Sequence, residues 1–439
     1  MESMPLRKQL TTIYGWQDHQ KRGRTIILLS NLITSFYNIF ITGIFYTGFL
    51  SMYEIDLVST GIISFIPTLA HCCAIFSPII LERFTRRKNI LLVSSFVYHF
   101  LTIIATTLMP TFVKDPEARV IWFCILLFSA NILQSLYQPG ITAWHYQSYP
   151  NEHRTRAAFL SFNQITSSIV SSLILLFSGY LASWINASGN QGILILSMRY
   201  MAMGLVMIQL FLLTRMKEYP HKKSREHINL AKVFSIPVHH KRFFACTLFM
   251  ISWTFICHLD TNLWNYHLLN TVNLPYNTIN TVSALYTLIL FIFTPLWRRI
   301  LNRLSWIRTF ALTVLMVAPT MLFNFFLSKE TSWLYIPGTL IQHIINVGLN
   351  LSFANLLYLN MPDENRTAMI SFFNFCNYLT SFFSTMLSTF WCKMWAERTV
   401  SLFGVSISSV QSISGFKLIG MLLLGSLLMI FQKRLSPEK

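Results

Sequence analysis

Apolar runs of about 20 residues or more recur from Thr25 to Phe431, and each is long enough to cross roughly 30 Å of hydrocarbon at 1.5 Å per residue. Twelve candidate spans follow, near residues 26–49, 57–80, 89–110, 119–146, 157–184, 193–215, 243–268, 276–297, 308–327, 333–359, 367–390 and 413–432. Charged residues make up only 11% of the chain, against roughly 25% in an average soluble domain. A water-soluble surface could not be kept wet with so few, and the expected fold class is an all-α membrane protein. The first run is too long for a signal peptide and lacks a cleavage site, so span 1 is expected to stay in the mature protein.

A net charge of +18 on a soluble protein would suggest nucleic acid. The positions of the 34 Lys and Arg argue otherwise, because 27 of them fall in the segments that lie inside if both termini are cytoplasmic. The outer loops hold only Lys114, Arg119, Lys329, Lys393 and Arg398. That is the asymmetry of the positive-inside rule for an even number of spans. It predicts a multi-pass protein of the cell inner membrane with cytoplasmic termini and no nucleic-acid partner. The seven cysteines form no C-x-x-C pattern and carry no redox or zinc signal. No metal and no cofactor are expected.

The longest inner polar stretch, Arg215 to Arg242, divides the spans six and six. Two internal matches suggest duplication. Pro150-Asn151-Glu152-His153-Arg154-Thr155 repeats as Pro362-Asp363-Glu364-Asn365-Arg366-Thr367, identical at four of six positions, at an offset of 212. Pro78 followed by Glu82-Arg83-Phe84-Thr85-Arg86 is matched by Pro295 followed by Arg299-Ile300-Leu301-Asn302-Arg303, at an offset of 217. Matches in corresponding loops of two halves predict two pseudo-symmetric six-helix bundles, as in transporters with parallel halves. The expected organisation is a cytoplasmic N-terminal segment 1–25, bundles 26–215 and 243–432, a basic linker 216–242 and a tail 433–439.

The loop after span 2, Pro78-Ile79-Ile80-Leu81-Glu82-Arg83-Phe84-Thr85-Arg86-Arg87, resembles the G-x-x-x-D-R-x-G-R-R loop of the major facilitator superfamily. Pro78 and Thr85 stand where that pattern has glycine, and Glu82 where it has Asp. The P-x-E-x-R signature after spans 4 and 10 is similar to this family's too, and Asn262-Leu263-Trp264-Asn265-Tyr266 with Leu274-Pro275 resembles the end of span 7 in poorly characterised bacterial members. The resemblance implies that spans 1, 4, 7 and 10 line a central cavity. It also implies that Glu82, Arg83, Arg86 and Arg87, with Glu152, Arg154, Glu364 and Arg366, form a conformational latch.

Polar stripes lie on those four spans. Span 1 carries Asn31, Ser35, Asn38 and Thr42 at steps of 4, 3 and 4, hence on one helical face. Span 4 carries Asn131, Gln134, Gln138 and Thr142, span 10 Gln342, Asn346 and Asn350, and span 7 Thr254, His258, Thr261 and Asn265 beside Asp260 and Trp264. Amides facing lipid would be left unsatisfied, so these stripes must face water, solute or another helix. Spans 5 and 11, rich in Ser and Thr, read as close-packing surfaces. Asp260 is the one acid of 16 lying well inside a span, which marks it for proton or cation coupling. Arg199 and Lys417, 218 residues apart in spans 6 and 12, are expected to snorkel toward outer headgroups, with a pair to Asp260 as the sharper reading.

No phosphate-binding loop supports ATP hydrolysis, and no nucleophile, base and orienting group share a motif, so an enzyme is not expected. The reading is a monomeric secondary transporter working by alternating access on a small neutral polar, amphipathic or cationic solute, with protons as a candidate coupling ion. A transporter-like sensor or scaffold, its basic linker binding a cytoplasmic partner, remains the second reading.

Overall fold

The computed structural model describes residues 12–81, 83–150, 153–186, 191–218, 230–359, 366–395, 400–402 and 405–435. They are helical almost throughout. Ten helices among the described residues are long and apolar enough to cross a membrane. Two more, Tyr335–Leu359 and Arg366–Met394, of 25 and 29 residues, fall on the expected tenth and eleventh spans. Each of the twelve expected spans thus falls on one helix or on a broken run of helices. The sequence gives no hint of the short hairpin before span 12, where Val400–Leu402 and Val405–Ile407 pair antiparallel with Val400 opposite Ile407.

By packing, the chain forms two compact units. The first comprises Met1–Tyr53 and Cys73–Ile228, the second Glu54–Cys72 and Asn229–Lys439. Span 2 joins the second because Leu57–His71 lies along span 11. Phe65 meets Phe382 edge-on at 5.5 Å, and the His71 ring lies 5.3 Å from that of Tyr378. A Cβ at Gly61 would come within 3.0 Å of the Thr389 side chain, so the small residues of span 11 do let a neighbouring helix approach closely. The core of the first unit is built from Ile26, Ile27, Leu91, Tyr137, Trp144, Phe159 and Leu213. That of the second is built from Met250, Trp253, Phe310, Val314, Leu349, Met421 and Leu424. In lipid such packing stabilises through van der Waals contact, because hydrocarbon tails are as apolar as the side chains.

The leading span of each unit is broken. Span 1 runs as His19–Ile41 and Gly43–Met52. Between them Thr42 is extended (φ −127°, ψ 178°) and Gly43 has φ +59°, a left-handed conformation that glycine adopts without a Cβ clash. Span 7 runs as Lys241–His258 and Thr261–Tyr266, interrupted at Leu259 and Asp260. The two breaks stand at the same 217-residue offset as the loop repeat. Hydrocarbon offers backbone carbonyls beside a break no partner, and hydroxyls add hydrogen bonds to them. The Thr42 hydroxyl donates to the Asn38 carbonyl at 2.6 Å, that of Thr261 to His258 at 2.9 Å, and that of Ser384, from span 11, to Phe255.

Candidate functional site

Within the first unit, spans 1, 3, 4 and 6 enclose a cavity of about 420 Å³, inside the roughly 300–1,000 Å³ usual for small-molecule sites. The helical stripes of spans 1 and 4 supply Asn31, Asn38, Gln134, Gln138 and Thr142. Their spacing brings successive amides to one face, as the sequence implies. The rest of the wall is aromatic and hydroxylic, with Tyr37, Tyr98, Tyr137 and Tyr149 beside Ser30, Thr34 and Ser95. His99, His145 and Gln209 complete its polar lining. Among the described residues, none lining it is Asp, Glu, Lys or Arg.

The wall is fixed by hydrogen bonds between helices. Gln209 of span 6 donates its amide N–H groups to the hydroxyls of Ser30 and Thr34 on span 1, both at 2.8 Å. Tyr37 of span 1 is bonded to His99 of span 3 at 3.0 Å. The Tyr98 ring meets those of His99 and Tyr137 edge-on, at 4.8 and 6.2 Å. Polar groups buried in this way rigidify a site only when each has a partner. Asn131, the first member of the span 4 stripe, is not a cavity residue, since its amide donates back to the Leu127 carbonyl at 2.7 Å. Thr42 serves the break in span 1.

The candidates of the second unit have separate roles. Asp260 is buried, and Lys417 Nζ lies 2.7 Å from both of its carboxylate oxygens. His258 Nδ1 is 2.9 Å from the Thr254 carbonyl. The Trp264 ring lies 5.5 Å from that of His267 and packs with Leu259 and Leu263. Asn265 and Asn346 are half-buried, and the Gln342 amide nitrogen is buried without a partner. Asn350 is exposed and donates to the Tyr286 hydroxyl at 3.0 Å.

Neither intramembrane cation snorkels. Lys417 is held in the pair with Asp260, the sharper of the two expectations. Arg199 is 1% exposed and wraps a π-helical turn of span 3, Phe100–Ala105. Its guanidinium donates to Thr106 Oγ1 and Thr107 Oγ1, both at 2.6 Å, and to the Thr102 and Ile103 carbonyls at 3.0 and 3.3 Å. It also sits 4.0 Å from the centre of the Phe49 ring. A π turn leaves carbonyls out of register with the ladder, and the planar fork of an arginine suits several acceptors at once.

Of the expected latch, Arg83 and Arg86 are exposed. Glu82, Glu152 and Glu364, and the side chains of Arg154 and Arg366, lie outside the described residues. Arg87 turns its Nε to the Phe84 carbonyl at 3.0 Å. The acid that meets this loop is one the sequence does not single out. Glu218, just past span 6, accepts from the backbone N–H groups of Arg87 and Lys88 where span 3 begins. In return Lys88 Nζ donates to the carbonyls of Thr214 and Met216 at 2.7 and 2.8 Å. A carboxylate on a helix N-terminus and an ammonium on a C-terminus both complement the helix dipole.

Residues 22–385 match the family model described as Major Facilitator Superfamily. The chain belongs to the major facilitator superfamily. It is therefore a multi-pass membrane transporter and not an enzyme. No curated protein matches it by sequence. Among solved structures, a mutant form of the nucleoside transporter NupG is similar in fold, with a TM-score of 0.67 and 13% identity over 94% of this chain and 99% of that one. A D-xylose–proton symporter gives a TM-score of 0.65 and 13% identity over 96% and 99% of the two chains. A peptide transporter POT in complex with sulfate gives 0.65 and 12% over 99% of both.

Proposed function

We propose that this superfamily member is a secondary transporter for a small uncharged polar solute, taken up by the cavity of the first unit. The observation that carries the reading is the lining itself. Five amides, four tyrosines and a set of hydroxyls meet in it, with no charged side chain among the described residues. A charged solute would lose its hydration with nothing of opposite sign to replace it. A solute bearing several hydroxyl or N–H groups would find both donors and acceptors, and ring faces to stack on. Two of the proteins similar in fold, the nucleoside transporter and the D-xylose symporter, are named for solutes of that kind. The 27 inner cations support cytoplasmic termini in the cell inner membrane.

Thermal unfolding of the purified protein tests this. D-xylose and uridine serve as uncharged probes, glutamate and choline as charged ones. At least one uncharged probe is expected to raise the melting temperature, since a ligand at a hundred times its Kd stabilises the folded state by about 2.7 kcal/mol. Stabilisation confined to the charged probes, or absent with both uncharged ones, would contradict the reading.

A further inference from the structure

Tyr37 and His99 meet in the cavity wall with the phenol oxygen 3.0 Å from Nε2 and the rings edge to face at 5.4 Å. The other ring nitrogen, Nδ1, lies 2.7 Å from the Ser95 carbonyl oxygen. A carbonyl oxygen only accepts, so Nδ1 carries a hydrogen, and the neutral ring has a lone pair on Nε2. Tyr37 must then donate its hydroxyl hydrogen to Nε2. With that hydrogen committed, the phenol oxygen has only acceptor capacity left. Thr34, one turn before Tyr37 on span 1, receives an N–H from Gln209. Donors thus run from Gln209 on span 6 to Thr34 on span 1, and from Tyr37 on span 1 to His99 on span 3.

We propose that Tyr37 offers the solute a hydrogen-bond acceptor while His99 is neutral, and that His99, as a positioning residue, reverses this polarity when a proton adds to Nε2. An imidazolium can only donate. Tyr37 must turn to accept from Nε2–H, and its own O–H swings away from His99 toward Thr34 and the cavity. The proton comes from water, one N–H bond forms, and the phenol hydrogen only rotates about its C–O bond. A solute read through its own O–H or N–H binds the neutral form and is opposed by the proton. Solute and proton thereby become linked at one wall.

The groups around His99 leave it as the switch. Tyr37 faces it from span 1 and Tyr98 from its own helix, while span 4 brings Tyr137 and His145 to the same cavity. From span 6, Arg199 holds carbonyls of the following turn of span 3. Among the described residues no carboxylate lines the cavity, so the groups there that can take up a proton on a ring nitrogen are the two histidines.

The inference rests on the cavity being the solute site, and the test separates the two. Protein with ¹⁵N-labelled histidine in lipid nanodiscs is expected to show His99, assigned by its absence in His99→Gln, with Nδ1 protonated and Nε2 bare at pH 7.5. Tyr37→Phe should shift the Nε2 signal. Binding of uridine or D-xylose to the wild type should weaken about 3- to 10-fold once the pH is lowered from 7.5 far enough for the same spectra to show Nε2 protonated, the range of one neutral hydrogen bond. Tyr37→Phe should weaken it by a similar factor at pH 7.5, and His99→Gln should abolish the pH dependence. A protonated Nε2 at pH 7.5, or a wild-type pH profile in His99→Gln, would overturn the inference and leave the cavity reading intact. Failure of both probes to bind the wild type would overturn both.

Discussion

Asp260→Asn is expected to destabilise the second unit by about 3–5 kcal/mol, the range for removing one partner of a buried ion pair. The carboxylate sits at the break in span 7 with Lys417 Nζ on both oxygens, and Asn leaves that ammonium buried without its counter-charge. Its isolation in the sequence marks Asp260 for coupling, but in the fold its charge is already answered by span 12. The double variant Asp260→Asn with Lys417→Met should recover most of the loss, because burying neither charge removes the desolvation penalty along with the attraction. Unfolding of the three proteins in matched detergent checks this. An Asp260→Asn protein as stable as wild type would show that the carboxylate is not structurally required and would return it to the coupling role.

Arg199→Lys should cost about 3 kcal/mol or more and should be worse than Arg199→Met. The guanidinium reaches two hydroxyls and two carbonyls around one π turn. Lysine keeps a charge but presents it as a compact, strongly hydrated point that cannot span those four acceptors. At 1.5–3 kcal/mol for each charge-assisted hydrogen bond, losing two accounts for roughly the figure given. Methionine loses all four but buries no charge. A lysine variant more stable than the methionine one would mean that charge, not the fork, holds span 3.

The fold was legible because each apolar run is its own evidence, and the asymmetry of Lys and Arg supports the orientation proposed above. The wall formed by spans 1 and 4 was legible for a related reason. Asn31, Asn38, Gln134 and Gln138 recur at helical spacing, and periodic polarity in hydrocarbon demands a polar neighbour. Span 3 and Gln209 were not, since a lone amide in span 6 and a histidine among apolar residues carry no period. The tautomer of His99 is set by Ser95 and Tyr37, which only the fold brings to its two ring nitrogens. Snorkelling of Arg199 and Lys417 was misread for another reason, though the pair of Lys417 with Asp260 was among the expectations. Sequence position fixes their depth in the bilayer but not the face they occupy, and both face protein. Glu218 escaped notice because it is 130 residues from the N–H of Lys88 that it receives, whereas the family pattern places charges only within the loop. The break at Thr42 and Gly43 was hidden because glycine is common in membrane helices.

Counterflow exchange in proteoliposomes shows whether an uncharged polar solute passes through the cavity of the first unit. Vesicles preloaded with unlabelled uridine or D-xylose should take up the corresponding labelled solute faster than empty ones, and Asn38→Leu and Gln138→Leu should each slow that exchange about 10-fold by leaving the solute's polar groups unpaired. Exchange at the wild-type rate in both variants, or counterflow of labelled glutamate or choline in place of the uncharged solutes, would contradict the account.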